Sequence, residues 1–288
     1  MSKVYVIYNP LANNGRSAQA IEDFAKSLKD ECVLCDMTQG YSNVIDEMQD
    51  DDALIICGGD GTLNRFVNEI EVDEIRGDIM YFACGSGNDF AHDISLERNA
   101  APVSVRKYLK CLPTVEVQGK TYRFINAIGF GIDGYCCEEG DRQREAYPGK
   151  KVDYTAIAIK GLLGKYKPRN AKVTVDGEVR EYKKVWIAPA MHGRYYGGGM
   201  IAAPARNRED GEKLSLVVWH GSNKLKTLMT FPSIFKGEHI KDTKHIEIIE
   251  GREITVEFDK PCALQVDGET ILGVTSYTVK VNVLCRVE

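Results

Sequence analysis

The sequence has 288 residues, which is long for a single hydrophobic core and typical of two domains. Its composition, 43% hydrophobic and 27% charged, is that of a folded protein rather than a disordered one. The net charge of -5 argues against nucleic acid as a partner, because phosphate backbones are bound by clustered Lys and Arg. No signal peptide and no apolar run of about 20 residues is visible, and nine cysteines without an export signal indicate reduced thiols. We therefore expect a soluble, cytoplasmic protein without a transmembrane segment.

Short apolar strands alternate with helical patterns in the first third of the chain. Strands are predicted at 4–8, 53–57 and 79–84, and the first two are followed by apolar residues at helical spacing over 21–28 and 63–70. Strands that alternate with helices form a parallel sheet covered on both faces. The sequence therefore predicts an N-terminal doubly wound, Rossmann-like α/β domain.

From about residue 120 the pattern changes to many short β-rich segments, punctuated by Gly, Asp and Pro. These segments are 122–128, 172–176, 184–190, 214–219, 245–249, 253–258 and 276–284. Such spacing is typical of a β-sandwich. One helix is predicted within 151–164. We place the nucleotide-binding domain at 1–118 and the β-sandwich domain at 119–288.

Three loops in the first domain follow a predicted strand and precede a helix. They span 9–17, 58–64 and 85–89, and two of them are rich in glycine. In an open α/β sheet such loops meet at the carboxyl ends of the strands, where glycines and helix N-termini attract phosphate oxygens. The alternative for any one loop is a tight turn without a ligand. No Lys-Ser or Lys-Thr follows the glycines, so this is not a Walker A loop.

Several motifs together resemble the diacylglycerol kinase catalytic-domain family, which includes bacterial soluble lipid kinases and the sphingosine and ceramide kinases. The motifs are YNPLANNG, CGGDGTLN, GSGNDFA, FINAIGFGIDG, YYGGGMIAAP, NREDG and QVDGE, in this order between residues 8 and 269. The resemblance implies an active site in the cleft between the two domains. It also implies transfer of the γ-phosphate of ATP to a lipid hydroxyl, with diacylglycerol as the default acceptor and phosphatidic acid as the product. A kinase of NAD and a non-catalytic nucleotide or lipid sensor remain as alternatives.

The resemblance also implies roles for individual residues. The positions that match ATP contacts are Asn9, Pro10, Leu11, Ala12, Asn13, Thr38, Gly58, Gly59, Gly61, Thr62, Leu63, Asn64 and Ser86. Asp60 matches an acidic residue near the phosphates and magnesium, and Asp267 and Glu269 match the acidic pair from which a catalytic base is drawn. An Asp-Gly-Glu is also common in hairpin turns, and we interpret the second copy at 176–178 as a plain turn.

A magnesium site and a head-group contact are implied in the second domain. Asn207, Asp210 and Glu212 match a second Mg²⁺ site, for which oxygen donors are suited, and a solvated acidic loop is the alternative. Asp133 matches an acidic position that faces the acceptor head group. Arg65 departs from the family pattern, because a Glu commonly occupies its position, and this change would alter phosphate or magnesium contacts.

A lipid acceptor requires contact with a membrane surface. The stretch 160–169 mixes Leu and Tyr with four basic residues, a composition typical of an interfacial contact with anionic lipid, although an ordinary helix end has the same pattern. Arg142, Arg144, Lys150 and Lys151 would extend this patch or form a solvated face. We expect a protein that is peripheral to the membrane, and an oligomer is compatible with the sequence.

Overall fold

The computed structural model describes residues 2–10, 17–28, 31–150 and 152–282 of the chain. The chain divides into two compact units, Met1–Leu112 and Pro113–Glu288. Each unit has its own hydrophobic core.

A single sheet forms the centre of the N-terminal unit. Its strands are β1 (Lys3–Tyr8), β2 (Glu31–Asp36), β3 (Ala53–Gly58), β4 (Asp78–Ala83) and β5 (Val103–Ser104). Their order is β2-β1-β3-β4-β5, with β1 to β4 parallel and β5 antiparallel to β4. Neighbouring residues such as Val6 and Ile7 are both fully buried, although their side chains point to opposite faces. The sheet is therefore covered on both sides, as parallel sheets are.

Short helices connect the strands of this unit. They are α1 (Ser17–Ser27), α2 (Ser42–Glu47), α3 (Asp60–Glu69), α4 (Asp89–Asp93) and α5 (Arg106–Leu109), with 3₁₀ turns at Met37–Gln39 and Val72–Glu74. In α3, Leu63, Phe66 and Val67 are fully buried at the i, i+3, i+4 spacing of one helix face. In α1, Phe24 stacks on Phe82 of β4, with ring centroids 4.2 Å apart. These contacts fix both helices on the sheet.

The C-terminal unit consists mainly of antiparallel strands. They are β6 (Thr114–Val117), β7 (Lys120–Arg123), β8 (Ala127–Gly131), β9 (Arg169–Val175), β10 (Glu178–Val185), β11 (Ile187–Met191), β12 (Tyr195–Tyr196), β13 (Met200–Ile201), β14 (Leu214–Trp219), β15 (Ile246–Gly251), β16 (Glu253–Val266) and β17 (Glu269–Lys280). A sheet of 10 strands contains β15-β14-β11-β8-β16-β17-β6-β7, and β9 joins β10 to β16. Strands β12 and β13 form a separate hairpin.

The long strand β16 explains how one sheet encloses a core. Its residues 254–258 pair with β9, whereas residues 264–266 pair with β8. Its register with β17 shifts between Glu257 and Leu264, and such bulges bend a strand. The two sets of strands share a buried cluster in which Phe130 packs against Phe258 and Tyr277. The result is a sandwich-like core.

Three helices cover another part of this unit. They are α6 (Ile132–Ala146), α7 (Tyr154–Lys160) and α8 (Lys224–Thr230), with a π-helical turn at Gly161–Lys165 and 3₁₀ turns at Phe231–Lys236 and Glu238–Lys241. Together with Trp186 and Trp219 they form a second buried cluster. Helix α6 follows Gly131, whose φ of 133° suits glycine, and a Cβ there would lie 2.3 Å from the carbonyl oxygen of Trp186.

The parallel α/β unit and the antiparallel β unit confirm the predicted fold class. The helix predicted within 151–164 is confirmed as α7 and the π turn that continues it. The sequence patterns did not identify β2 or α6. Among the described residues, no helix has the length and apolar character to cross a membrane.

Candidate functional site

Two glycine-rich loops touch each other at the carboxyl ends of β3 and β4. A Cβ at Gly85 would lie 2.3 Å from the Cα of Gly59. The two backbones could therefore not come this close if residue 85 carried a side chain. A Cβ at Gly58 would lie 2.3 Å from Oγ1 of Thr62. The amides of Cys84 and Gly85 both donate to the Gly58 carbonyl, at 3.0 and 3.1 Å. The predicted meeting of loops 58–64 and 85–89 is therefore confirmed.

Asp60 links these loops through its carboxylate. It is the first residue of α3, and its two oxygens accept the backbone N–H groups of Asp89 and Phe90, both at 2.9 Å. These are the first residues of α4, so Asp60 caps that helix. Beside it, Asn88 adopts a left-handed φ of 56° and donates to the Gly85 carbonyl, while its Oδ1 is buried without a hydrogen-bond partner.

The other predicted nucleotide contacts differ in how open they are. Gly61 and Ser86 are exposed and Asn64 is half-buried, whereas the side chain of Leu63 is fully buried and its N–H donates to the Gly59 carbonyl. Asn9 and Pro10 follow β1 directly. Leu11, Ala12 and Asn13 lie outside the described residues. Leu63 is thus near the glycine turn through its main chain and not through its side chain.

Thr38 is connected to α3 through Arg65. The N–H and Oγ1 of Thr38 both donate to Oδ1 of Asp36, each at 2.7 Å. Arg65 donates to Glu69 at 2.6 Å and to the Met37 carbonyl at 3.1 Å. Arg65 therefore ties α3 to the 3₁₀ turn that carries Thr38.

In the C-terminal unit, Asp267 and Gly268 form the two-residue turn between β16 and β17. Their φ angles are 47° and 93°, which is the left-handed pair that a type I′ hairpin requires. Oδ2 of Asp267 accepts the N–H of Ile125 at 2.5 Å, and Oδ1 accepts those of Asn126 and Ala127 at 2.8 and 3.0 Å. Both carboxylate oxygens thus bind the main chain that leads into β8.

Glu269 differs from Asp267 in its surroundings. It is the first residue of β17 and its side chain is exposed. Among the described residues, no hydrogen bond or ion pair to its carboxylate is found. Its neighbour Thr270 donates to Asp141 of α6 at 2.6 Å, which fixes the start of β17 against that helix. The pair predicted from the sequence is therefore one engaged carboxylate and one open carboxylate.

Two further buried residues support this hairpin and were not singled out from the sequence. Arg208 donates to the Ile125 carbonyl at 2.5 Å and to Oδ1 of Asn126 at 2.7 Å. Gln265 accepts the N–H of Gly268 at 3.0 Å. Both residues stand inside the motifs NREDG and QVDGE, but their role depends on contacts between distant segments. Only the fold could reveal it.

Asp133 lies in the first turn of α6 and is buried. Oδ1 accepts the Gly134 N–H at 2.9 Å, but Oδ2 is buried without a hydrogen-bond partner. Burial raises the pKa of this carboxyl to about 6, and the hydrogen bond from Gly134 acts in the opposite direction. Burial, together with the charge of Asp133, also raises the pKa of the Cys262 thiol to about 12. An acid oxygen that lacks a partner can accept a hydrogen bond from a ligand.

The predicted magnesium loop contains oxygen atoms that are already used within the protein. Asn207 Oδ1 accepts the Glu209 N–H, and Asp210 Oδ1 accepts the Glu212 N–H, each at 3.1 Å. Buried Arg206 donates to the Asp210 carbonyl at 2.5 Å and lies 3.4 Å from Asp210 Oδ2. In the part of the chain that the structure describes, no three His, Cys, Asp or Glu residues are arranged to hold a metal. The magnesium assignment stays a prediction.

Family comparisons cover both units of the chain. Residues 3–113 match the family model described as the diacylglycerol kinase catalytic domain. Residues 126–284, more than half of the chain, match the model described as the YegS C-terminal NAD kinase beta sandwich-like domain. Together the two matches include the glycine loops and the hairpin at Asp267.

Individual relatives and solved structures agree with these matches. A diacylglycerol kinase of Mycobacterium tuberculosis is 24% identical over 287 residues, 92% of this chain and 91% of that protein. A diacylglycerol kinase of Bacillus subtilis is 23% identical over 284 residues, 93% of this chain and 90% of that protein. A crystal structure of a diacylglycerol kinase from Bacillus anthracis has a TM-score of 0.61 at 18% identity, and the match covers 98% of this chain and 93% of that one.

Proposed function

Because the chain belongs to the lipid kinase family defined by the diacylglycerol kinase catalytic domain and the YegS C-terminal domain, we propose that it transfers the γ-phosphate of ATP to a hydroxyl of diacylglycerol. The observation that carries the nucleotide half of this proposal is the direct contact between the Gly59 and Gly85 backbones at the carboxyl ends of two parallel strands. Phosphate groups are bound by exposed amides at such positions.

The N-terminal unit is proposed to bind ATP. Helix α3 begins at Asp60 after Gly59, which has no side chain to cap the helix, and the positive end of a helix dipole attracts phosphate oxygens. Exposed Gly61 and Ser86 border this turn. Asp60 holds the two loops in register by capping α4, a role that leaves its carboxylate engaged.

Glu269 is proposed as the catalytic base. Phosphoryl transfer requires a carboxylate that receives the proton of the acceptor hydroxyl. Asp60 and Asp267 accept backbone N–H groups with both oxygens, whereas Glu269 is exposed and open. In this proposal Asp267 positions the hairpin and Glu269 accepts the proton of the acceptor hydroxyl.

Asp133 is proposed to orient the acceptor. Its Oδ2 is buried without a partner, so a hydroxyl on the lipid head group that donates to it would relieve the cost of an unsatisfied charge. Position in the first turn of α6 favours the charged form of the carboxyl, while burial opposes it.

Magnesium is proposed to accompany ATP and to bind the 207–212 loop. Asn207, Asp210 and Glu212 supply oxygen atoms of the kind that Mg²⁺ prefers. The magnesium that accompanies ATP would neutralise phosphate charge when it is bound. Arg206 already faces Asp210, so an added cation must displace that contact. Transfer that is abolished by a chelator and restored by Mg²⁺, but not by Ca²⁺, would support magnesium as the cofactor.

The proposed function is tested with γ-labelled ATP and separate acceptors in detergent micelles. The acceptors are diacylglycerol, sphingosine, ceramide, phosphatidylglycerol and NAD. We expect label on diacylglycerol. Label on another lipid would change the acceptor and retain the lipid kinase, whereas label on NAD alone would refute it. Saturable ATP binding without label on any acceptor would instead indicate a nucleotide sensor.

A further inference from the structure

Two segments of the C-terminal unit contain no acidic residue. They are 154–170 and 221–237, each 17 residues long, in a chain with 42 Asp and Glu among 288 residues. At that average, their combined length would hold about five acidic residues. They hold instead seven basic residues, namely Lys160, Lys165, Lys167, Arg169, Lys224, Lys226 and Lys236. A chain with an overall charge of -5 thus concentrates positive charge in two places.

These segments are neighbours in the fold. Helix α7 continues into the π turn Gly161–Lys165, α8 continues into the 3₁₀ turn Phe231–Lys236, and α8 packs against the π turn. Both bury their inner residues in the same cluster, where Leu162 and Ile234 pack with Trp219. We call the outer surface of these four elements the α7–α8 face. The two acid-free segments therefore form one surface.

The α7–α8 face also exposes large apolar side chains. Six of the 12 exposed large hydrophobic residues of the described chain belong to it, namely Tyr154 39%, Ile159 39%, Leu163 62%, Leu225 67%, Met229 72% and Phe235 39%. Leu225 and Met229 are four residues apart, so they lie on one side of α8, opposite buried Thr227. An apolar surface of this kind is unusual on a protein without a partner.

All but one of the lysines on this face are available for a partner. Lys226 pairs with Asp242 at 3.0 Å. Within the described residues, no ion pair is found for Lys160, Lys165, Lys224 or Lys236, nor for Lys167, which follows the π turn. By contrast, Arg142 and Arg144 of α6 are paired with Glu139 and Asp141, so α6 does not extend the basic surface. Lys151 lies outside the described residues.

We propose that the α7–α8 face docks on a bilayer that contains anionic phospholipid, with Leu163, Leu225 and Met229 inserted among the acyl chains and the lysines against the phosphates. This arrangement is typical of interfacial helices. Lysine is depleted in protein–protein interfaces, which favours a lipid surface over a protein partner. The proposal rests on the proposed function for its choice of lipid, and it places the lipid acceptor and the enzyme at the same interface.

Docking is tested by sedimentation with vesicles, without nucleotide. We expect the wild-type protein to bind mixed phosphatidylcholine–phosphatidylglycerol vesicles, and to bind pure phosphatidylcholine vesicles at least about tenfold more weakly. The triple variant Leu163→Ser, Leu225→Ser and Met229→Ser should lose about tenfold or more in affinity. Val179→Ser with Leu272→Ser is the matched control, because these residues are 57% and 59% exposed elsewhere in the unit.

A second set of variants tests the charge. Lys160→Gln, Lys165→Gln and Lys224→Gln together should remove the preference for phosphatidylglycerol and the salt dependence of binding. Lys183→Gln with Lys260→Gln, which are exposed outside the face, should change neither. Thermal denaturation checks that each variant folds, and substitutions of exposed side chains are expected to leave the melting temperature unchanged.

Failure of this proposal is distinguishable from failure of the kinase assignment. The docking proposal would be overturned if the wild-type protein did not bind mixed vesicles, or if the triple variant of Leu163, Leu225 and Met229 bound them normally. Either result would hold whatever the activity on lipid in micelles. Binding of vesicles without transfer to any lipid would refute the kinase and retain the docking face. The face would instead be assigned to a second copy of the chain if analytical ultracentrifugation found a wild-type dimer and a monomeric triple variant, and the wild-type protein did not bind vesicles.

Discussion

The C-terminal unit contains the tripeptide Asp-Gly-Glu twice, and the two copies form nearly identical turns. At 176–178 the φ angles of Asp and Gly are 47° and 89°, and at 267–269 they are 47° and 93°. Each turn joins two antiparallel strands in a two-residue hairpin. The first copy is a hairpin turn, as predicted, but the second copy is a turn of the same type. Local conformation therefore does not separate a structural copy from a functional one.

What separates the two copies is the way each carboxylate is used. Asp176 accepts two backbone N–H groups, from Arg252 and Glu253, both on Oδ1 at 2.9 Å. Asp267 accepts three with both oxygens, from the segment that also binds buried Arg208. After the turn, Glu178 lies 3.6 Å from Arg180, whereas Glu269 has no ion pair among the described residues. The difference lies in tertiary contacts.

The largest effect is expected when the two glutamates are exchanged for glutamine. If Glu269 takes the proton of the acceptor, Glu269→Gln should lower kcat about 100-fold or more, because an amide cannot act as a general base. Glu178→Gln, its matched control, should leave kcat unchanged. The rate of label transfer from ATP to diacylglycerol in micelles measures both. Equal activity of the two variants would assign the base to another residue.

Asp133 should behave unlike Asp267, because only one of its two carboxylate oxygens accepts a hydrogen bond. Its pKa of about 6 exceeds the usual value of 3.8, so the folded state holds a proton that the unfolded state has released between about pH 4 and 6. The free energy of unfolding should therefore fall by up to about 3 kcal/mol as pH rises through this window, and then level off. The variant Asp133→Asn should lack this decrease. Urea denaturation of both proteins between about pH 4.5 and 7.5 would measure the difference in the free energy of unfolding. An identical pH profile in the variant would show that another group titrates.

Replacing each aspartate by asparagine sharpens the comparison of the hairpins. Asparagine suits the left-handed turn, so the change tests the carboxylate and not the backbone. The single amide oxygen can retain both N–H groups that Asp176 binds, but it cannot replace the two oxygens of Asp267. We expect a loss of about 2 kcal/mol for Asp267→Asn and under about 1 kcal/mol for Asp176→Asn in the free energy of unfolding.

Urea denaturation at constant pH measures both losses. Equal losses would contradict the assignment of Asp267 as the residue that fixes the segment before β8. A drop in kcat for Asp267→Asn without any loss in stability would instead assign a chemical role to that carboxylate.

The sequence predicted the elements that depend on local patterns. Strands β1, β3 and β4 are continuous apolar runs, and the glycine turns follow them directly. Helix α6 has no such pattern, since it contains Gly134 and Gly140, which are needed where the Ala263 carbonyl and the Tyr154 ring approach. Those contacts join segments that are distant in the chain, so periodicity cannot report them.

The candidate site divides in the same way. Motifs predicted that Asp60, Asp267 and Glu269 matter, but not which of them is engaged by the protein. The donors to Asp267 come from residues about 140 positions earlier, and the donors to Asp60 come from about 30 positions later. The burial of an oxygen without a partner, as at Oδ2 of Asp133, is likewise a tertiary property. The sequence could name the residues, whereas the division of their roles required the fold.

The smallest difference between the two hairpins is expected at the glycines of their turns, which should behave alike. Gly177 and Gly268 have φ angles of 89° and 93°, and a Cβ at either would meet no atom within 4 Å. Alanine would therefore cost only the strain of a left-handed conformation, about 1 kcal/mol in each case. Urea denaturation of Gly177→Ala and Gly268→Ala measures this cost. If Gly268→Ala alone also lowers kcat, the turn itself positions Glu269, because the backbone strain at both sites is the same.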